Sequence, residues 1–348
     1  MKNILNVSLY NEDLNRVVKD LDLNSLKNES ILITGGLGLI GSAVVDLLHK
    51  ANELLKLNIN IFVAGRNEKL FLEKYSSFHD IIFLQYDAMK PIVFSNHFSY
   101  IICCAGVASP QLYVEKPVET LMTTIDGIKN LLNYSLEKKV KKLLFLSSTE
   151  VYGKKNDNTP FEENSYGSIS IDNVRSSYAI GKKMGELLCK AYKEEYGLNC
   201  SIVRPGHIFG PTATMYDKRV SSDFAYLSAQ KKDLYMKSEG AQKRSYCYSL
   251  DCAKAILIVL LYGSSAEAYN IGHDETTTIK QMATYMAKAG NVELKIESPL
   301  KKDLKVFNPM DNSTLNNNKI KSLGYKDSFS VQEACEHTVK ILREILQN

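Results

Sequence analysis

The sequence predicts an α/β protein, a doubly wound parallel sheet followed by a smaller, mostly helical lobe. Three observations lead there. Apolar, β-branched runs alternate with amphipathic helical patterns as far as Arg204. A glycine-rich turn joins the first of these runs to the first long helix. Beyond Pro205 the alternation gives way to Gly/Pro punctuation, polar loops and isolated helices. Strands separated by helices, with nearly continuous apolar character, imply a parallel sheet covered on both faces.

The elements follow in order. Residues 1–28 form a polar, Asn-rich leader in which Leu14, Val17, Val18 and Leu21 recur at i, i+3, i+4 and i+7, the spacing of a short amphipathic helix packed on the main body. Strands are predicted at Ile31–Thr34, Ile59–Ala64, Ile81–Tyr86, Tyr100–Cys104, Lys142–Ser147 and Cys200–Arg204, with helices at Leu39–Lys50, Val118–Glu137 and Ser176–Tyr196. Later helical patterns cover Ala253–Tyr262, Ile279–Ala289 and Val331–Leu346. The expected division is a sheet domain over residues 29–205 with residues 245–275 returning to it, and a second lobe from residues 206–244 and 276–348.

The 45% hydrophobic and 24% charged fractions exclude a disordered chain, a collagen and a coiled coil. The formal charge of +4 is spread without any block of five like charges, so neither a nucleic-acid groove nor a polybasic membrane patch is expected, whereas a small anionic ligand suits it. The longest apolar run, from Ala255 to Tyr262, is too short to cross a bilayer, and the first residues lack the apolar core of a signal peptide. A cytoplasmic location is the expectation. Seven scattered cysteines without a C-x-x-C pair read as buried free thiols, and no metal site is expected.

Ile31-Leu32-Ile33-Thr34 runs into Gly35-Gly36-Leu37-Gly38-Leu39-Ile40-Gly41 and then a helical pattern. Glycines there permit the tight turn, let backbone N–H groups approach a pyrophosphate and allow close helix–strand packing, and the helix N-terminus favours negative charge. With a strand before and a helix after, this is the dinucleotide-binding turn of a Rossmann-type fold, with Gly35, Gly38, Leu39, Ile40 and Gly41 against the cofactor. The second strand ends at Gly65-Arg66-Asn67, where an NAD site places Asp or Glu for the ribose 2′-OH. No carboxylate is present. Gly65 leaves room and Arg66 offers a donor fork for a 2′-phosphate, so NADP(H) is favoured and NAD(H) is the alternative. Asp87 after the third strand is either a partner of the adenine amine or a plain turn residue. Ala105, Gly106 and Pro205 complete the cofactor candidates at the strand ends.

Tyr178-Ala179-Ile180-Gly181-Lys182 places a phenol and an ammonium on one helical face. Lys182 beside an oxidised nicotinamide is expected to stabilise the tyrosinate, so that Tyr178 exchanges a proton with a carbinol. Ser148, in Leu146-Ser147-Ser148-Thr149-Glu150-Val151-Tyr152-Gly153 after the fifth strand, falls at the carboxyl edge of the sheet, where it can hold the reacting oxygen.

On these residues the chain resembles the extended short-chain dehydrogenase/reductases that act on nucleotide sugars. Arg204-Pro205-Gly206-His207-Ile208-Phe209-Gly210-Pro211, Arg244-Ser245-Tyr246-Cys247-Tyr248 with Asp251, and Tyr269-Asn270-Ile271-Gly272 extend the likeness over roughly residues 28–345. Ala108-Ser109-Pro110 before Tyr113, the stretch Glu150 to Gly153, and the stretch Asp217 to Phe224 are most similar to the UDP-glucuronate decarboxylase branch. The resemblance implies that Ser148, Tyr178 and Lys182 form the catalytic triad and that Glu150 is the extra carboxylate. It implies that Arg244 meets substrate carboxylate or phosphates, with Ser109, Thr149, His207 and Arg219 around the sugar nucleotide; Arg219 reads equally well as a solvated loop cation. A homodimer built on the helices Val118–Glu137 and Ser176–Tyr196 is implied too.

Four positions depart from that pattern. Thr149 stands where dehydratases have an acid, which disfavours water elimination. Thr124 and His207 each replace an Asn, and His207 is open between a phosphate contact and a structural role. The fourth is the missing carboxylate after the second strand. Two enzymatic readings follow. In one, a nucleotide hexose or hexuronate is oxidised at C4 for surface-polysaccharide precursors, as in UDP-glucuronate decarboxylases. In the other, NADPH reduces a keto sugar, nucleotide-linked or a ketose phosphate. A non-catalytic NADP(H)-binding redox sensor is the alternative of another class.

Overall fold

The structure, a computed structural model, describes residues 2–155, 157–297 and 311–347. The part of the expected second lobe at residues 298–310 lies outside them.

The chain opens with α1 (Ser8–Lys19), whose Leu14, Val17 and Val18 are fully buried, as their spacing predicts. It packs on the helices that follow, and Tyr10 donates to the buried Asp46 at 2.8 Å. Then come β1 (Ser30–Thr34), α2 (Leu39–Leu55), β2 (Asn60–Gly65), α3 (Glu68–Tyr75), β3 (Ile81–Gln85), β4 (Tyr100–Cys103), α4 (Pro110–Glu115), α5 (Pro117–Glu137), β5 (Lys142–Leu146), α6 (Ser177–Tyr196) and β6 (Cys200–Pro205). The second part contains β7 (His207–Phe209), α7 (Val220–Ala229), β8 (Leu234–Met236), β9 (Lys243–Arg244), β10 (Tyr246–Tyr248), α8 (Ser249–Tyr262), β11 (Ala268–Ile271), β12 (Thr277–Thr278), α9 (Ile279–Gly290), β13 (Leu294–Ile296), β14 (Asn312–Ser313), α10 (Asn318–Lys321) and α11 (Val331–Leu346).

Seven strands form one all-parallel sheet in the order β11-β6-β5-β4-β1-β2-β3. Period-two alternation sends Ile31, Ile33, Ile61 and Val63 into one core with α2 and α8, and Leu32, Phe62 and Ala64 into the other, beside Leu131 of α5 and Cys189 of α6. Both faces are therefore dry, which is why the strands read as continuous apolar runs. Chain order reverses between β1, which pairs with β2 on one side, and β4 on the other. The crevice beyond the carboxyl ends of these strands is where such sheets take ligands.

The last sheet strand, β11, pairs with β6 from Ala268 opposite Ile202 to Ile271 opposite Pro205. The helices α7, α9 and α11 pack on one another to make the second lobe. That lobe also carries short strand pairs that the sequence reading did not include, β13 with β8 and β12-β9-β14. No helix among the described residues is long and apolar enough to cross a membrane.

Candidate active site

The glycine turn is built as a cradle. Gly35 has φ +69°, and a Cβ there would lie 2.8 Å from the Ala105 amide nitrogen. A Cβ on Gly41 would lie 2.3 Å from the Gly35 carbonyl oxygen, so the first turn of α2 rests directly on the loop. Gly38, by contrast, would bring its Cβ no closer than 3.5 Å to any neighbour. Gly38 caps α2 without a side-chain hydrogen bond, and first-turn amides of a helix lack intrahelical acceptors, so the N-terminus suits a pyrophosphate. A dinucleotide fits this cradle.

At the end of β2, Arg66 is exposed and has no hydrogen-bond or ion-pair partner among the described residues, and a Cβ on Gly65 would meet nothing within 4 Å. Asn67 uses its side chain to cap α3, accepting from the Leu70 N–H at 3.0 Å. Asp87 accepts from the Met89 N–H at 3.1 Å, the turn geometry that was one of its two readings. Ala105 donates to the Thr34 hydroxyl at 3.3 Å, which ties the ends of β1 and β4 together.

From there a cavity of about 90 Å³ runs along the sheet edge. It is lined by Ile40, Gly106 and Pro205 from the cofactor candidates, and by Ser148, Tyr178 and Lys182. Arg219 also lines the cavity, with its guanidinium paired with Asp217. A larger open hollow of about 500 Å³ between Lys231, Asp233 and Asn291 holds none of the predicted site residues.

Tyr178 and Lys182 are both buried on α6. The Lys182 ammonium donates to the Leu146 carbonyl at 2.6 Å, sits 4.9 Å from the Phe145 ring centre and 5.9 Å from that of Tyr178. Burial pushes its pKa down. Burial likewise pushes the Tyr178 phenol up, against the Ser148 hydroxyl, the Tyr113 hydroxyl and the Arg219 charge, which pull it down, while the Glu150 carboxylate adds to the rise. Desolvation is the largest effect on the phenol, and the groups that oppose it are Ser148, Tyr113 and Arg219. Ser148 also caps the 3-10 turn Thr149–Tyr152, accepting from the Glu150 N–H at 3.2 Å.

The profile of the NAD dependent epimerase/dehydratase family matches residues 31–272. The chain belongs to that family. UDP-glucuronic acid decarboxylase 3 of Arabidopsis thaliana is 31% identical over 273 residues, covering 78% of this chain and 77% of the relative. The UDP-glucose 4-epimerase of Thermotoga maritima, solved with UDP-glucose, superposes with a TM-score of 0.76 at 26% identity, over 91% of this chain and 99% of that one. An epimerase from Methanothermobacter thermautotrophicus shares the fold with a TM-score of 0.80 at 20% identity, over 96% and 97% of the two chains.

In this epimerase/dehydratase-family chain the remaining predicted residues fall around the cavity rather than on its wall. Glu150 is held by Arg175, and Thr149 beside it is buried. Ser109 caps α4 without a side-chain hydrogen bond. His207 lies on β7, which pairs with β10, and Arg244 on β9, which precedes β10 in the chain; the His207 ring meets Tyr246 edge-on at 5.7 Å. Arg244 is 3% exposed, and its partners among the described residues are the carbonyls of Lys243 and Asp311, not a carboxylate. Burial, with Arg244 and Arg219 nearby, pushes the His207 pKa down to about 3, and its Nδ1 has no hydrogen-bond partner among the described residues. A buried guanidinium bonded only to carbonyls among the described residues, next to a ring nitrogen without a partner there, is a setting for an anion. Thr124 is buried and donates back to the Thr120 carbonyl at 3.3 Å.

Sequence reasoning missed Tyr113 and Arg175. The Tyr113 ring stacks on Tyr178, and Arg175 reaches back to Glu150. It also missed the buried pair beneath them, where Arg204 holds Glu186 at 2.6 and 2.9 Å and Glu186 accepts from Ser147. The position of Arg175, three residues before Tyr178, was the one available signal.

Proposed function

We propose that the protein oxidises a nucleotide hexose or hexuronate at C4, as a UDP-glucuronate decarboxylase-like enzyme supplying surface-polysaccharide precursors. The observation that carries this is the convergence of Ser148, Tyr178 and Lys182 on one cavity that opens beside the glycine turn. A nicotinamide dinucleotide bound along Gly35–Gly41 supplies a reversible hydride acceptor. Tyr178 takes the proton of the C4 hydroxyl, and Ser148 holds that oxygen in place. Lys182 provides the positive charge behind the phenol. With C4 as a ketone, a C5 carboxylate is β to it, so the electrons of the breaking C–C bond flow into the carbonyl as CO₂ leaves. One proton is then taken up at C5, with Glu150 beside the site to assist, and C4 regains the hydride while Tyr178 gives its proton back to the C4 oxygen, which leaves a UDP-pentose with no net oxidation. Thr149, a poor acid at neutral pH, does not favour elimination of water. Arg244, His207 and Arg219 offer the positive and polar groups for the anionic part of the substrate. Fixed geometry and preorganised polar groups carry most of the rate.

A homodimer through α5 and α6 and a cytoplasmic location are part of the proposal. Exposed Val118, Met184 and Leu187 on those helices support the first. The second reading, an NADPH-dependent reductase of a keto sugar, is favoured by one observation, the unpartnered Arg66 beside the open Gly65.

The deciding experiment is incubation with UDP-glucuronate and either NAD⁺ or NADP⁺, following CO₂ and the nucleotide product, with identification of any cofactor released on denaturation. CO₂ and a UDP-pentose are expected, and Tyr178→Phe is expected to lower turnover by about 10²–10⁴-fold while dinucleotide binding persists. NADPH oxidation by a keto sugar without CO₂ would establish the reductase instead. Undiminished biological activity in Tyr178→Phe would leave only the non-catalytic sensor.

A further inference from the structure

The Tyr113 ring lies nearly flat on the Tyr178 ring, with centroids 4.3 Å apart and planes 7° from parallel. The arrangement is tied down from several sides. Tyr113 is 3% exposed, on a helix that begins with Pro110. The Ser177 hydroxyl, one residue before Tyr178, donates to the Tyr113 carbonyl at 3.4 Å, so α4 and α6 are joined at the stack. The Arg175 guanidinium lies 5.8 Å from the Tyr113 ring centre while it grips Glu150. A phenylalanine would fill the same space. The stack brings the two phenols side by side, and the Tyr113 hydroxyl pulls the Tyr178 pKa down while Tyr178 pushes that of Tyr113 up, the signs of a donor at Tyr113 and an acceptor at Tyr178.

We propose that Tyr113 is a positioning residue for Tyr178: its ring fixes the plane of the reacting phenol and its hydroxyl donates to the Tyr178 oxygen. The inference rests on the acid–base role of Tyr178 given above. When Tyr178 passes its proton to or from a carbinol, the negative charge on its oxygen is met by the Tyr113 O–H, and Tyr113 keeps its own proton throughout. The other groups facing Tyr178 are Ser148 and Glu150 from the turn after β5, Arg219 from the start of α7, and Lys182 from its own helix. Of these, Glu150 opposes ionisation and Arg175 pairs with it. Tyr113 thus touches both the phenol and the cation that restrains the opposing carboxylate.

Tyr113→Phe keeps the ring and removes the hydroxyl, and Tyr113→Leu removes both. In the UDP-glucuronate assay, Tyr113→Phe is expected to lower kcat about tenfold at neutral pH with KM changed less than about twofold. It is also expected to move the rise of kcat/KM with pH upward by about one pH unit. Tyr113→Leu is expected to fall further in kcat. In protein carrying ¹³Cζ-tyrosine, the Tyr178 resonance, assigned by its loss in Tyr178→Phe, is expected to move in Tyr113→Phe. An unmoved Tyr178 resonance overturns the inference whether or not the enzyme turns over. So does a Tyr113→Phe enzyme with the wild-type pH profile. A wild-type protein without turnover strikes at the proposed reaction instead, and the resonance then decides the role of Tyr113 alone.

Discussion

The Arg175 guanidinium holds the Glu150 carboxylate at two points, Nη1 to Oε2 at 3.0 Å and Nη2 to Oε1 at 3.2 Å, three residues before Tyr178. Both side chains are largely withdrawn from water, at 17% and 21% exposure, so the pair is screened less than a surface pair. The fork matters because it fixes the direction of the carboxylate as well as its charge. Arg175→Lys keeps a cation but loses the fork, and kcat/KM is expected to drop about tenfold with little change in melting temperature. Arg175→Ala leaves the Glu150 charge facing Tyr178 without its partner. Because that charge already pushes the phenol up, activity in Arg175→Ala should rise only at higher pH than in the wild type. A pH profile identical to wild type would show that the clamp does not reach the phenol.

The glycine turn separates a packing role from a ligand role within four residues. A methyl on Gly41 would collide with the backbone of Gly35 and Gly36, at 2.3 and 2.8 Å, and backbone cannot yield as a flexible side chain can. Gly41→Ala is therefore expected to cost about 1–3 kcal/mol of stability, read as a lower melting temperature. A methyl on Gly38 meets nothing nearer than 3.5 Å, so Gly38→Ala should melt as wild type. Its backbone sits where the pyrophosphate must approach closely, and dinucleotide affinity in Gly38→Ala is expected to fall about tenfold or more, measured by calorimetric titration. Equal melting temperatures for the two variants would contradict this division.

The sheet was readable because both its faces are covered: six of its strands are apolar throughout or nearly so, and each was placed within a residue or two of its ends. β11 is the exception. It is four residues long and centres on Asn270, whose buried side chain is occupied by Tyr152 and by the carbonyls of Phe161 and Asn316, so its polarity concealed a strand. The pairs in the second lobe have two or three residues per strand, too few to show alternation. In the site, the glycines, Ser148, Tyr178 and Lys182 could be named from spacing along one chain segment. Tyr113 could not, because its contact with Tyr178 joins residues from separate helices, and no periodicity encodes such a meeting. Arg219 was undecidable for a related reason: its place in the cavity depends on where α7 begins.

The end of β2 gives a cofactor prediction. Arg66 is exposed and unpartnered among the described residues, and Gly65 leaves open space beside it, while a carboxylate for the ribose hydroxyls is absent from Gly65-Arg66-Asn67. A guanidinium matches a 2′-phosphate in charge and in hydrogen-bond geometry. On the second reading proposed above, NADP(H) is expected to bind more tightly than NAD(H), and Arg66→Asp to reverse the order by weakening NADP(H) about tenfold or more. Dissociation constants for both dinucleotides, wild type against Arg66→Asp, provide the check. A wild type that binds NAD(H) more tightly would assign Arg66 to the adenine or to solvent.

The leader and the last helix are joined by a titratable contact with a defined pH signature. His337 Nδ1 on α11 lies 2.9 Å from Asp13 of α1, and the same carboxylate accepts from the Tyr248 hydroxyl at 2.9 Å. The hydrogen bond and charge of Asp13 raise the His337 pKa above 6.5, against partial burial. A histidine that binds its proton more tightly in the folded state stabilises the fold fully below its unfolded pKa, and loses that contribution as pH rises through the folded value. The wild type is thus expected to exceed His337→Gln by about 1 kcal/mol near pH 5.5, and the gap should close as pH rises past the raised pKa toward 9. Calorimetric melts of both proteins across that range test it directly. A gap of constant size would mean that His337 contributes by packing against Phe329, whose ring lies 6.0 Å away, rather than by its charge.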